Sequence, residues 1–220
     1  MTVILEKKNG EKRIIVPQID NADLIKSASN FLKKYNPNDV IPVDIENIVA
    51  KDFRLKVIPI LRLFREFGIR SYTDPNLSTI YIDAEEYDDE CSARVTIAHE
   101  LAHVLLHGDI FRNREFESAD EYLAFQDSLN KKNSKGYSLL ERQASFLAPY
   151  ILLPQGQLKA FVDEKIKIFG GLSCMVPEHF QILVEEIKKK FMVSKGCIRQ
   201  QIIFEFPDLY KAMTDPSAKI

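Results

Sequence analysis

The segment Thr96 to His107, TIAHELAHVLLH, constrains this chain most, because it holds three of its four histidines in one short stretch. Its apolar residues recur at intervals of three and four, which predicts an amphipathic helix. Three acidic residues at 88–90 complement the positive end of that helix, and Gly108 is expected to end it. We therefore predict a helix over residues 89–107. Its apolar face comprises Val95, Ala98, Leu101, Ala102 and Leu105.

Two histidines of this helix, His99 and His103, are four residues apart, so their imidazoles lie on the same side, about one turn apart. Glu100 stands beside them and can reach a water on the same ion without being a ligand itself. This His-Glu-x-x-His arrangement is typical of zinc peptidases, in which zinc acidifies a water and the glutamate takes its proton. The alternative is that both histidines only make hydrogen bonds in or beside the core.

A catalytic zinc site needs a third protein ligand and one open position. Metzincins are excluded, because their pattern requires glycine at 106 and histidine at 109, where this chain has Leu106 and Asp109. His107 lies one turn beyond His103 and cannot easily close around an ion that the first two histidines hold. We expect it near the end of the helix, favouring the dipole or capping carbonyls.

Glu141, in the run LLERQASFLAPYILLP, is the best candidate for the third ligand. Ala144 and Ser145 follow it and are small enough to let a second helix lie close against the first. A lone glutamate on an amphipathic helix is usually a solvated surface charge, so only this setting supports the assignment. The group that would stabilise an oxyanion is left open among His107, Tyr137, Arg142 and Tyr150.

The charge balance argues against a general attraction to nucleic acid or membranes. With 30 basic and 32 acidic side chains in 220 residues, the formal net charge is -2, too small for a global field of either kind. The sequence has no apolar run of signal-peptide or membrane-helix length, so we expect a cytoplasmic protein without membrane contact. Three widely spaced cysteines, Cys91, Cys174 and Cys197, predict reduced, mostly buried thiols.

The pattern of the whole chain predicts an α+β fold that is mostly helical and contains a small antiparallel sheet. Residues 1–19 are interpreted as a β-hairpin extension that turns at Asn9-Gly10. Residues 20–170 form the main domain, and residues 171–220 form a small helical subdomain that resembles a helix-turn-helix.

Within the main domain, two further helices are expected after the histidine helix. The first covers residues 119–132 and the second residues 137–153, with a loop at 133–136 between them. The second helix is expected to break near Pro149 and Pro154.

Most of residues 22–158 resembles the ImmA/IrrE family of bacterial and phage-associated zinc metallo-endopeptidases. The diagnostic segments are RVTIAHELAHVLLH and ERQASFLAPYILLP. Family members typically show Thr-[Ile/Leu]-Ala-His-Glu-Leu-Gly-His-x-x-x-His and, later, Glu-x-x-Ala-x-x-Phe-Ala-x-x-Leu-Leu-x-Pro. Ala102 replaces the common glycine and adds only a methyl group. Pro149 departs from the second block, but it follows Glu141 by eight residues, so a kink there leaves the carboxylate in place.

The resemblance implies a zincin-like metallopeptidase core in which His99, His103 and Glu141 bind Zn²⁺ and Glu100 is the general base. It also implies a site-specific endopeptidase that cleaves a regulatory protein, often the helix-turn-helix repressor of a phage, mobile element or stress regulon. We find no N-terminal repressor domain in the sequence, so the expected substrate is a separate protein.

One strand is a candidate for binding that substrate. A peptide would pair with the edge of the strand formed by Thr79, Ile80, Tyr81 and Ile82. The alternative is an ordinary internal strand.

A competing function is a regulator that binds DNA or a partner protein without cleaving it and keeps zinc only as structure. The residues available to read DNA are Lys195, Arg199, Gln200 and Gln201. Neighbouring glutamates offset this basic patch, so direct nucleic-acid contact is the less favoured role. Glu100 favours the enzyme, because a structural site needs no base beside the metal. The oligomeric state is left open.

Overall fold

The computed structural model of the chain describes residues 4–8, 11–112 and 134–214, with side chains over 16–109 and 138–214. The fold is mostly helical. The α-helices of the described residues are α1 (Asn21–Tyr35), α2 (Ile45–Asn47), α3 (Leu63–Phe67), α4 (Ala84–Asp88), α5 (Glu90–Arg112), α6 (Ser134–Leu152), α7 (Gln155–Ile168), α8 (Pro177–Phe191), α9 (Lys195–Glu205) and α10 (Pro207–Thr214). A π-helix (Ile48–Asp52) continues α2, and a 3-10 turn (Leu172–Cys174) precedes α8.

The strands form two small sheets. Their bounds are β1 (Ile4–Lys8), β2 (Glu11–Ile15), β3 (Lys56–Ile60), β4 (Ser71–Thr73) and β5 (Thr79–Asp83). The first two make the antiparallel hairpin predicted near the N-terminus, with Lys8 opposite Glu11. The predicted turn residues, Asn9 and Gly10, lie outside the described residues.

The second sheet has the strand order β3-β5-β4, and its pairing is mixed. β5 runs antiparallel to β4 but parallel to β3, so the predicted antiparallel sheet is correct for only one of the two pairs. The reason lies in the connections. A short turn that Asp74 stabilises joins β4 to β5, whereas α3 and β4 intervene between β3 and β5 and allow a parallel return.

The prediction that residues 79–82 form an exposed sheet edge is wrong. Thr79, Ile80, Tyr81 and Ile82 lie in β5, which is the central strand. Residues 79–83 pair with β3 on one side, and residues 80–82 pair with β4 on the other. The outer strands of this sheet are β3 and β4.

Several helix ends lie away from their predicted positions. α5 starts after Asp89, whose carboxylate accepts a hydrogen bond from the Ser92 amide at 2.9 Å, as the acidic residues there indicated. However, α5 continues through the buried Gly108 to Arg112, although glycine costs about 1 kcal/mol in a helix interior.

α6 differs from its prediction at its start and at Pro149. It begins at Ser134, inside the predicted loop, and passes through Pro149 without a break, but it ends at Leu152, and Pro154 caps the next helix as the predicted break there indicated. Burial of Leu147, Ile151 and Leu152 accompanies the continued helix and offsets the hydrogen bond that proline removes. The helix predicted over 119–132 lies outside the described residues.

One continuous hydrophobic core runs through the described helices. α1, α5 and α6 contribute to it, and so do α8, α9 and α10. Phe191 and Val193, which flank the turn between α8 and α9, are fully buried. Residues on both sides of position 171 contribute to this core. The division into a main domain and a C-terminal subdomain stays a prediction. Among the helices of the described residues, none has the length and apolar character needed to cross a membrane.

Arg94 ties α5 to two distant parts of the chain. Its side chain is almost fully buried, and its Nε donates to the Met192 carbonyl at 3.0 Å. One terminal nitrogen donates to the Val43 carbonyl, and the other pairs with Glu46 at 2.6 Å. The two carbonyls lie before α2 and between α8 and α9, and Glu46 lies in α2. A single guanidinium thus satisfies carbonyls on both sides of α5.

We expect Arg94→Met to lower the free energy of unfolding by about 3 kcal/mol, because the buried Val43 carbonyl and the partly buried Met192 carbonyl lose their donor while the volume is largely kept. Equilibrium urea unfolding measures the loss. The matched control is Arg70→Met, since Arg70 is exposed in its 3.0 Å ion pair with Glu86 and should cost less than about 1 kcal/mol. Equal losses in the two variants would contradict the clamping role of Arg94.

Candidate metal centre

The packing of α5 against α6 brings together the three predicted metal ligands. The Nε2 atoms of His99 and His103 are 3.1 Å apart. Glu141, from α6, places Oε2 3.2 Å from His99 Nε2 and Oε1 3.4 Å from His103 Nε2. All three side chains are partly buried. Among the described residues, they form the cluster that could hold a metal ion.

The distances within this cluster fit a small tetrahedral ion. Zinc bonds to histidine nitrogen and carboxylate oxygen at about 2.0–2.2 Å, so two ligand atoms on one tetrahedron are about 3.3–3.5 Å apart. The separations of 3.1, 3.2 and 3.4 Å approach that geometry. Two imidazoles and one carboxylate are also a donor set of the kind found in zinc hydrolases.

The electrostatics of the cluster favour positive charge. Burial alone would lower the pKa of His99, but hydrogen bonding to Glu141 and the charges of Glu100 and Glu141 raise it above its ordinary value. Burial would likewise raise the pKa of Glu141, yet His103 and His99 hold it far below its usual range. The carboxylate therefore stays ionised beside two nitrogens, which is the state that a cation requires.

Glu100 is held by two side chains of β4. Its carboxylate is buried, with 5% of the residue exposed. Ser71 Oγ donates to Oε1 at 2.6 Å, and Thr73 Oγ1 donates to Oε2 at 2.8 Å. Residues 71 and 73 lie on one face of the strand because side chains alternate. Two serine or threonine residues spaced by two were the available sequence signal, and it was missed.

His107 was predicted near the end of α5, capping carbonyls or favouring the dipole. It does not cap the end, because the helix continues five residues beyond it. Only 2% of the residue is exposed. Its Nδ1 is 3.1 Å from His103 Nδ1, and its Nε2 is 2.9 Å from Gln143 Oε1. Burial and the neighbouring His103 lower the pKa of His107 to about 4, so the ring is neutral near pH 7.

Gln143 was not predicted as part of the site. Its amide nitrogen donates to the Pro17 carbonyl at 2.9 Å, 126 residues earlier in the chain. The contact depends entirely on the tertiary fold, and nothing in the local sequence indicated it.

The residues considered for stabilising an oxyanion are not brought together. Tyr150 is buried and donates its hydroxyl to Glu205, and His107 is occupied as described. Arg142 is exposed on α6. The side chain of Tyr137 lies outside the described residues.

The family follows from a comparison with known proteins. The family model of the peptidase M78 group, described as the IrrE N-terminal-like domain, matches residues 64–202. The chain belongs to this family. No curated protein and no solved structure matches the chain. The matched region contains all three clustered side chains and also extends through α8 into α9.

Membership in the M78 family confirms the ImmA/IrrE resemblance and implies a metallopeptidase-type domain. The matched region begins at residue 64, within α3, whereas the resemblance read from the motifs began at 22. It also ends at residue 202, beyond the expected end at 158. The C-terminal helices up to that residue are therefore part of the family pattern.

We expect Thr73→Val to destabilise the protein by about 2 kcal/mol, because Glu100 Oε2 loses a charge-assisted hydrogen bond in a buried site. Thr79→Val is the matched control, since Thr79 is a buried threonine of the same sheet whose hydroxyl lies 3.3 Å from Ser78 Oγ. It should cost less than about 1 kcal/mol. Urea unfolding decides between the variants, and a smaller loss for Thr73→Val would contradict its role in holding Glu100.

Proposed function

We propose that this M78 family member is a cytoplasmic, zinc-dependent endopeptidase of the HExxH type, with His99, His103 and Glu141 as metal ligands and Glu100 as general base. Its substrate is a separate regulatory protein, for which we propose a helix-turn-helix transcriptional repressor. The observation that carries the proposal is the convergence of two imidazoles and one carboxylate at 3.1–3.4 Å, with a buried glutamate next to the first histidine.

The chemistry divides between the ion and the chain. When bound, zinc acidifies a water and polarises the peptide carbonyl. Glu100 takes the proton at a carboxylate oxygen and can return it to the leaving amine. Ser71 and Thr73 keep that carboxylate from rotating, since each hydroxyl holds one of its oxygens. Proton transfer needs a fixed donor–acceptor geometry, which this pair of hydroxyls supports.

The sheet also suggests where an extended substrate would lie. Because β5 is internal, a peptide that adds a strand to this sheet must join β3 or β4. β4 is the outer strand that contacts Glu100. A peptide beside β4 would therefore lie nearer to the base than one beside β3.

The contacts of the C-terminal helices weigh against the competing DNA-binding function. Gln201, one of the four residues considered for reading DNA, is buried. Lys195 pairs with Glu185, and Arg199 donates to Gln181 at 3.0 Å. Three of the four side chains are thus engaged within the protein, which favours a structural role for α8 and α9.

We expect protein purified without chelators to contain about one zinc per chain, and Glu141→Ala to lose most of it, because two histidines alone hold the ion weakly. Elemental analysis measures the content. Arg142→Ala is the control, since Arg142 is the exposed neighbour on the same helix and should leave zinc unchanged. Wild-type protein that stays free of zinc after reconstitution would remove the enzyme proposal.

We expect Glu100→Gln to retain zinc and fold but to lower proteolysis by about 10²–10⁴-fold, because the amide cannot accept the proton. Cleavage sites in a peptide library or in co-expressed repressors can be followed by mass spectrometry. Glu178→Gln, an exposed residue of α8, is the matched control for the same chemical change. Undiminished cleavage by Glu100→Gln would rule out this base.

A further inference from the structure

A chain of three hydrogen bonds, which we call the relay, leads from the proposed metal ligand His103 through His107 and Gln143 to the Pro17 carbonyl. His103 Nδ1 lies 3.1 Å from His107 Nδ1, and His107 Nε2 lies 2.9 Å from Gln143 Oε1. Gln143 Nε2 donates to the Pro17 carbonyl at 2.9 Å. His107 and Gln143 are 2% and 1% exposed, so bulk water does not readily replace these partners.

The direction of every bond in this chain is set at its far end. A carbonyl can only accept, so the NH₂ group of Gln143 must face Pro17 and its oxygen must face His107. That oxygen also only accepts, which places the proton of His107 on Nε2. The ring contacts a neutral amide and a second imidazole, neither of which offsets a buried cation. His107 is thus neutral, with a bare Nδ1.

The same logic continues to the metal ligand. A bare nitrogen at His107 Nδ1 accepts a hydrogen bond, so the proton of His103 must reside on its own Nδ1. The Nε2 atom of His103 then carries a lone pair. It is this Nε2 that lies 3.4 Å from Glu141 and 3.1 Å from His99 Nε2.

We propose that His107, Gln143 and the Pro17 carbonyl are positioning groups that hold His103 in the metal-binding tautomer before any ion arrives. With the opposite tautomer, a proton on Nε2 would occupy the coordination position and binding would require its transfer. This inference rests on the proposed zinc site but not on peptidase activity. It assigns a role to His107 that differs from a ligand, a cap or an oxyanion stabiliser.

The anchor of this relay is itself fixed by packing. Pro17 lies between β2 and α1, and its neighbours Val16 and Ile19 are buried. Its carbonyl therefore has a defined position relative to α6. The segment that joins the N-terminal hairpin to α1 thus takes part in organising the metal centre, although it contributes no ligand.

The first experiment detects the tautomers directly, in metal-free protein with ¹⁵N-labelled histidine. Long-range ¹H–¹⁵N correlation spectra distinguish a proton on Nδ1 from a proton on Nε2. Four histidines are present, and single substitutions assign them. We expect His103 protonated on Nδ1 and His107 protonated on Nε2. A proton on Nε2 of His103, or rapid exchange between its two tautomers, would overturn the proposal.

The second experiment compares two variants of nearly equal size at one position. His107→Asn keeps an oxygen near the place of Nδ1 that can accept from His103, whereas His107→Leu keeps only the volume. Zinc affinity is measured by competition with a chromophoric chelator. We expect about a 10–100-fold loss for His107→Leu, the range for groups that orient a ligand. His107→Asn should lose less than about threefold.

One control variant and one further test variant separate the effect of the relay from that of packing. His179→Phe removes the histidine that stacks on Phe169 at 4.2 Å and should leave zinc affinity unchanged. Gln143→Met keeps the buried volume but removes the acceptor for His107, so we expect a loss of affinity in the same direction as for His107→Leu. Equal losses for His107→Asn and His107→Leu would attribute the effect to packing and overturn the proposal.

These readouts also separate the relay from the proposed function. If the tautomers and zinc affinities are as expected but the protein cleaves no peptide, the relay proposal is supported and the endopeptidase proposal is rejected. Active enzyme with wild-type zinc affinity in His107→Leu would do the reverse.

Discussion

The candidate metal centre depends on how closely α5 packs against α6. The two histidines belong to one helix and the carboxylate to the other, so any separation of the helices would open the 3.2 and 3.4 Å contacts. Small buried residues line both helices and permit the approach. They are Ala98 and Ala102 on α5 and Ala144 and Ala148 on α6. The methyl group of Ala102, which replaces the glycine common in the family, is accommodated without exposure.

Two polar side chains of α5, Glu100 and His103, are oriented by groups that lie outside the α5–α6 pair. A strand holds Glu100 through two hydroxyls, and the Pro17 carbonyl sets the direction of the hydrogen bonds that reach His103. Buried polar groups are costly unless they are satisfied, so such networks favour a single arrangement. The sheet and the N-terminal segment thus position side chains of the candidate site, although neither supplies a member of the His99, His103 and Glu141 cluster.

The sequence predicted the parts of the site that depend on local spacing. His99, Glu100 and His103 are recognisable because a helix places residues four apart on one side. Glu141 was favoured by its setting, because the small residues after it let two helices lie close together, and the family resemblance supported the same assignment. Gln143 and Pro17 could not be predicted, because their contact joins segments 126 residues apart. The break predicted at Pro149 failed for a related reason, because burial of Leu147, Ile151 and Leu152 around it favours the continued helix.

The turn between α8 and α9 has a consequence for how relatives of this protein can diverge. Met192 adopts a left-handed backbone with φ of 55°, and its carbonyl accepts the buried Arg94 Nε. A β-branched residue would be strained there, and a different turn would leave the guanidinium short of an acceptor. Recombination that exchanges the C-terminal helices for another module must therefore preserve this one backbone oxygen. The turn between α8 and α9 must therefore be exchanged together with α5, even though Met192 and Arg94 are almost a hundred residues apart.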